Sequence, residues 1–319
     1  MNVLDWLLDA DPAIRWQVLR DLADAPSDEV AAERARVASE GWGAELLALQ
    51  DAGGTWDGGT YRPAWADDDK PWFDAWTATH FVLGQLRDLG VDPSDPAVRR
   101  AVGLVRDNVR WEANDKPYFE GEVEPCINGL ALANAAYFGE SGDAIVETLL
   151  AGQLADGGWN CWAEYGARVS SFHSTICALE GLLEWEQAGG SSEAVTTARR
   201  RGEEYLLERG LYRRRSTGEV ADPRYTMVSF PAYWYHDVLR GLEYFRRAQP
   251  APDERLADAI AIVAAKADDE GRWELENVHQ GPTHVEMEGP ERFPSRWTTL
   301  RALRVLRWAG VPHPALQPA

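Results

Sequence analysis

A glutamine, three residues, a glycine, one residue and a tryptophan close two separate apolar runs in this chain. Residues 46–59 read LLALQDAGGTWDGG and residues 149–162 read LLAGQLADGGWNCW, so Gln50, Gly54 and Trp56 are matched by Gln153, Gly157 and Trp159. A worn third copy at residues 262–273, IVAAKADDEGRW, keeps Gly271 and Trp273 but has Ala267 in the glutamine position. The aromatics that close helix-like runs are Trp56, Trp111, Trp159, Tyr212 and Trp273, spaced 48 to 61 residues apart. That spacing is too long for the helix pair of a short solenoid repeat, and it constrains the fold more than any other feature.

Two kinds of segment alternate between the markers. The first is amphipathic and charged: residues 28–49, 95–109, 143–154, 192–209 and 252–267, with helix-starting signals at Ser94-Asp95-Pro96 and Ser191-Ser192-Glu193. The second is more apolar and richer in small residues: residues 12–22, 73–89, 125–138, 172–187, 233–248 and 295–309. These segments resemble one another, as WQVLRDL, LGQLRDLG, ICALEGLLEW, HDVLRGLEYF and WTTLRALRVLRWAG. The period-2 alternation of strands is almost absent, so the expected class is all-α. Six apolar segments inside and charged ones outside predict an (α/α)6 toroid forming a single domain over residues 1–319. The last segment reads as an ordinary inner helix, whereas an open solenoid would want a polar capping repeat there.

Composition narrows the functional classes. With 32 basic and 52 acidic residues the net charge is −20. Such a surface repels phosphate backbones and anionic lipid, which argues against nucleic acid as a partner. No run is long enough to cross a bilayer, and the first apolar stretch carries acids without a basic n-region, so no secretory signal is expected. The three cysteines, Cys126, Cys161 and Cys177, give no disulfide framework. The expected compartment is the cytoplasm.

The Gln-x-x-x-Gly-x-Trp signature at Gln50–Trp56 and Gln153–Trp159 resembles the repeat of squalene and oxidosqualene cyclases. The alternating helices are also similar to the β-subunits of protein prenyltransferases, and the likeness spans about the whole chain at the level of repeats. The motif itself reads as structural: the Gln amide can bond a neighbouring helix end and the Trp can stack over it. The resemblance implies a terpenoid-cyclase-like or prenyltransferase-like protein with an isoprenoid or related apolar ligand in a central aromatic-lined cavity. From the prenyltransferases it also implies zinc, held here by Glu124, Cys126 and His173. The chain departs from both patterns. The closest match to the cyclase acid box is Asp74-Ala-Trp-Thr-Ala, which lacks the paired acids. Squalene-type cyclases also use two toroids, and the prenyltransferase carboxylate is Asp rather than Glu.

The starts of the inner segments are the expected site. Asp74, Glu124, His173, His236 and Asp237 are the candidate catalytic groups, acids and bases of the kinds that move protons. Trp76, His80, Asn128, Thr175, Trp234, Tyr235, Arg296 and Trp297 are the candidate ligand contacts. Helix starts carry partial positive charge, which favours a Cys126 thiolate or an anionic ligand group, and Arg296 would add a fixed cation. Polar residues at helix starts also serve as N-caps. Cys161 and Cys177 read as packing residues, His279 and His284 lie in a long loop suited to covering a cavity, and His313 is expected to do nothing. Two further readings stand beside the isoprenoid one. A carbohydrate-active enzyme on the same fold would use carboxylates as acid and base, and a non-catalytic scaffold would have a filled centre.

Overall fold

The computed structural model describes residues 2–66 and 75–316. Among these residues there are α-helices, short 3-10 turns and isolated bridges, but no β-strand. In chain order the helices are α1 (Val3–Leu8), α2 (Pro12–Asp21), α3 (Ser27–Ala35), α4 (Gly41–Ala48), α5 (Thr79–Leu89) and α6 (Pro96–Asn108). They continue as α7 (Pro125–Phe138), α8 (Asp143–Ala151), α9 (Phe172–Gln187), α10 (Glu193–Leu207), α11 (Val238–Ala248), α12 (Ala257–Ala264) and α13 (Arg296–Ala309). None of them is long and apolar enough to cross a membrane.

The apolar segments became α2, α5, α7, α9, α11 and α13. The expected charged helix over residues 28–49 is two helices, α3 and α4, because a 3-10 turn at Arg36–Ala38 and an extended Glu40 interrupt it. Two apolar helices start later than expected. Ala78 is extended before α5, and α11 begins only where the Asp237 carboxylate caps it by accepting from the Arg240 N–H. Asp95 and Ser192 cap α6 and α10, as their sequences indicated.

The repeated motif has one geometry in all three copies. The indole N–H of Trp56, Trp159 and Trp273 donates to the carbonyl ten residues back, at Leu46, Leu149 and Val263, each at 2.7 Å. Those carbonyls lie in the last turns of α4, α8 and α12, where the ordinary partner four residues on is missing, and those of Leu46 and Val263 also accept a 3.2 Å bond from the N–H three residues on. The backbone N–H of each Trp donates to a threonine hydroxyl in the first turn of the next apolar helix, at Thr79, Thr175 and Thr299. One residue therefore ties the end of a charged helix to the start of the following apolar helix. The three tryptophans are completely buried.

The glutamines act differently from the expectation. Gln50 and Gln153 donate to Ala101 and Ala198, which are interior residues of α6 and α10 rather than helix ends. They also reach their own motif glycines' carbonyls at Gly54 and Gly157. Those glycines have φ of 93° and 100°, and a Cβ on either would lie within 2.8 Å of the backbone of Leu104 or Arg201. Only glycine satisfies both demands.

The apolar helices pack on one another through the core. Helix α5 meets α7, α7 meets α9, α9 meets α11, α11 meets α13, and α13 meets α2. Trp16 and Gln17 of α2 donate to the carbonyls of Leu89 and Asp88 at the end of α5. The α7–α9 crossing is the tightest, with Gly129 and Gly181 so placed that a Cβ on either would sit 2.2 to 2.3 Å from a facing carbonyl oxygen.

Replacing Trp159 by Ala should lower the unfolding free energy by about 3–5 kcal/mol, the range for a buried large aromatic. Gln153→Ala, which removes three hydrogen bonds, one of them an exposed bond from Arg201, should cost about 1–3 kcal/mol. Urea denaturation of the two variants checks both, and equal midpoints for Trp159→Ala and the parent would remove the motif's structural role.

Candidate functional site

Side chains from all six apolar helices line one cavity of about 520 Å³. Its lining has two zones. Toward the helix starts it is aromatic, with Phe81, Phe230, Tyr233 and Trp297; toward the helix ends it is charged. Arg20, Asp88 and Arg247, in the last turns of α2, α5 and α11, are exposed, whereas Phe81, Phe230 and Trp297 are buried. The mouth therefore lies at the C-terminal ends.

The expected site lay at the other end, and stacked rings close that end. Trp76 stacks on Tyr233 at 3.9 Å, Phe230 on Trp297 at 4.4 Å, Trp234 on Tyr235 at 3.7 Å, and Tyr235 on His279 at 4.0 Å. Trp76 also donates to the carbonyls of His279 and Gln280, so the His279 loop does cover this end. His284 bonds the carbonyl of Thr77 in the same cover.

Of the sequence-predicted residues, His80 and Trp297 line the cavity. Asp74, and the acidic run at residues 67–69, lie outside the described residues. Glu124, Cys126, His173, His236 and Asp237 are not among the lining residues. Their helix starts are occupied by local structure. Asp237 caps α11 and accepts from the Ser229 hydroxyl at 2.7 Å, while His236 contacts the Leu211 carbonyl at 2.7 Å. Asn128 binds both backbone groups of Glu122, and Thr175 serves the Trp159 backbone. Trp234 and Tyr235 belong to the stacked cover. Arg296 turns to Trp6, donating to its carbonyl with the guanidinium 4.9 Å over the ring.

The expected zinc set is not assembled. His173 Nδ1 accepts from the His236 N–H at 2.8 Å, and the donor group within 4.8 Å of one another is Glu124, Cys126 and Cys161. Cys161, read from sequence as packing, takes the place expected for His173. The Cys126 thiol is pushed well above its ordinary range by its hydrogen bond to Cys161 and by burial.

The charged zone was missed by the sequence reading. Eight arginines line the cavity against five carboxylates, an excess of three positive charges inside a chain of net charge −20. Most are paired. Arg240 holds Glu180 through two nitrogens at 2.9 and 2.6 Å, and Arg304 reaches Asp21 at 2.5 Å. Burial works against the charged forms of Glu180, Glu243 and Asp21. Nearby arginines override it and hold all three carboxyls below their usual range. Arg34 and Arg301 differ, for among the described residues neither has a carboxylate partner. Arg34 donates to Gly90 and Val91 carbonyls and to the Tyr137 hydroxyl, and Arg301 to the Ser229 carbonyl. The signal was present in sequence, since LRDL, LRDLG, LRGLEYF and LRALRVLR each place arginine inside an apolar helix. Such an arginine must be paired or face a polar void.

Four lining residues carry a buried polar atom with no partner among the described residues: Gln85 Oε1, Tyr233 OH, Trp297 Nε1 and Arg304 Nε. Unpaired buried polar atoms are rare in folded proteins, and six others among the described residues lie away from this cavity. His80 adds a defined donor. Arg87 donates to Asn134, and Asn134 donates to the Tyr118 hydroxyl at 2.9 Å. Tyr118 is then free to donate to His80 Nδ1 at 3.1 Å, which leaves the ring proton on Nε2. Burial and the Arg87 charge lower the His80 pKa to about 3, so the ring is neutral at pH 7.

No family model matches the chain, and no curated protein matches it. A solved structure, a protein from Actinoplanes, is similar at 16% identity over 94% of this chain and 90% of that chain, with a TM-score of 0.47.

Burial lowers the pKa of His80 and His173 to about 3 and of His236 and His279 to about 4. The folded chain keeps these rings neutral while the unfolded chain protonates them near the ordinary value. Their contribution to stability is therefore complete above pH 6.5 and is lost as pH falls below it, at about 1.4 kcal/mol per histidine per pH unit. The urea midpoint should be flat from pH 8 to 7 and fall between pH 6.5 and 5, and His236→Gln should make the fall shallower. A midpoint unchanged from pH 7 to 5 would contradict this.

Proposed function

We propose that the chain is an (α/α)6 toroid whose central cavity takes up a small amphiphilic anion. The hydrocarbon part, isoprenoid or of related apolar kind, would rest on the aromatic floor of Phe81, Phe230, Tyr233 and Trp297. A phosphate or carboxylate head would sit among the arginines of the mouth. The run of contacts from α5 through α13 to α2, and from α2 back to the end of α5, supports closure of the apolar helices around one axis. The observation that carries the ligand class is the excess of arginine over carboxylate in a cavity that also holds orphaned polar atoms.

Two rival readings have less support. A glycoside-cleaving enzyme needs a carboxylic acid held protonated, yet Glu180, Glu243 and Asp21 are shifted the opposite way by their arginines. A scaffold would have a filled centre, whereas 520 Å³ lies in the range of small-molecule sites, roughly 300–1,000 Å³. The net charge of −20 repels anions at long range, so the arginines act at close quarters, where low dielectric strengthens them.

Calorimetric titration with an isoprenyl diphosphate, the matching isoprenol, a fatty carboxylate and inorganic pyrophosphate tests the reading. The amphiphilic anions should bind at least about tenfold more tightly than the isoprenol, a difference of about 1.4 kcal/mol. Arg301→Gln should weaken the diphosphate by about tenfold or more, as expected for one charge-assisted hydrogen bond. Equal binding of alcohol and diphosphate, or no saturable binding of any amphiphile, would overturn the proposal.

A further inference from the structure

Cys161 and Cys126 form a pair that the cavity does not use. They come from different repeats, and their sulfurs lie 2.8 Å apart. The Cys161 sulfur accepts from the Cys126 backbone N–H at 3.4 Å and the Ser174 hydroxyl at 3.2 Å, and its own thiol donates to the Cys126 sulfur. Cys126 is the second residue of α7 and Ser174 the third of α9, so two helix starts meet at one sulfur. Cys161 is half-buried and followed by exposed Trp162 and Tyr165, so a small molecule can reach it. Cys126 is buried behind it, with Glu124 Oε2 3.7 Å from its sulfur.

A metal ion fits this geometry less well. Two thiolates on one tetrahedral zinc, each at about 2.3 Å from the ion, sit about 3.7 Å from each other. The two sulfurs here are closer than that, at 2.8 Å.

We propose that Cys161 and Cys126 are a thiol–disulfide exchange centre for low-molecular-weight disulfides, with Cys161 attacking and Cys126 resolving. The Cys161 thiolate attacks one sulfur of R–S–S–R, the S–S bond breaks, and RS⁻ leaves. A mixed disulfide between Cys161 and R remains. Cys126 passes its proton to the released RS⁻ and attacks the Cys161 sulfur, expelling the second RS⁻. The two leaving thiolates take up the two protons that the protein thiols release. One small disulfide is reduced to two thiols, and the protein dithiol is oxidised to a Cys126–Cys161 disulfide. The centre is independent of any ligand in the cavity.

The test is peptide mapping by mass spectrometry of the full chain after equilibration in glutathione buffers from fully reduced to fully oxidised. The Cys126 and Cys161 peptides should become joined with loss of two hydrogens. Cys177, fully buried with its thiol pushed up to about 12 by that burial, should stay a free thiol as an internal control. Cys126→Ser should accumulate a glutathione adduct on Cys161, and Cys161→Ser should leave Cys126 unmodified. Two free thiols at 126 and 161 in the most oxidising buffer, with native circular dichroism, would overturn the proposal. So would one zinc per purified chain by elemental analysis that is lost in Cys161→Ser.

Discussion

An indole N–H bonded to a carbonyl ten residues earlier is the interaction on which this architecture depends. It occurs at Trp56, Trp159 and Trp273, and in each case the same residue's backbone N–H binds a threonine that opens the next apolar helix. The last turn of a helix has carbonyls that no backbone donor can satisfy, and a buried one is costly if left bare. The tryptophan supplies a 2.7 Å donor at that end and fills the space beside it. The chain is thereby turned from a charged helix into an apolar one at a fixed angle, three times over. Where the glutamine is present it adds a tie to the middle of the following charged helix, and the third copy does without it.

That repeated turn has an electrostatic consequence. The apolar helices bring their late residues together, and helix C-termini carry partial negative charge. Arginines in the last turns of α2, α5, α11 and α13 suit that environment. Further inside, Arg240 and Arg304 are almost fully buried and are sustained by Glu180, Asp21 and Glu243. Removing one partner of such a pair would strand a charge. The pairing is incomplete, however. Arg34 and Arg301 are satisfied by carbonyls and a hydroxyl, which neutralise no charge. The cavity thus combines positive charge left over, an aromatic floor and a neutral His80, the features on which the proposed ligand class rests.

The element order was legible because periodicity and motif spacing are local properties. The spans of α7 and α9 agree with their sequence patterns at both ends, since glutamate-proline and serine-phenylalanine starts leave little latitude. The break between α3 and α4 was harder to see, because Val37 and Leu46 continue an apolar stripe across it and both are buried. The candidate site was legible only in fragments. His80 and Trp297 do reach the cavity, but Asn128, Thr175 and Asp237 are consumed by capping and by the motif backbone, the ordinary uses of such residues at helix starts.

The sequence by itself determined that the chain is helical, that apolar and charged helices alternate, and that tryptophan closes the charged ones. These follow from composition and period along one strand of covalent chain. Tertiary structure decided which end of the cavity is open, which arginines lack an acid, and that Cys161 rather than His173 stands beside Cys126. Each of those depends on contacts between residues far apart in sequence: Tyr233 on Trp76, Arg304 on Asp21, and Cys161 on Cys126. Side chains at a helix start can cap, stack or face a cavity with equal local propensity. Only the neighbours that fold against them select among the three.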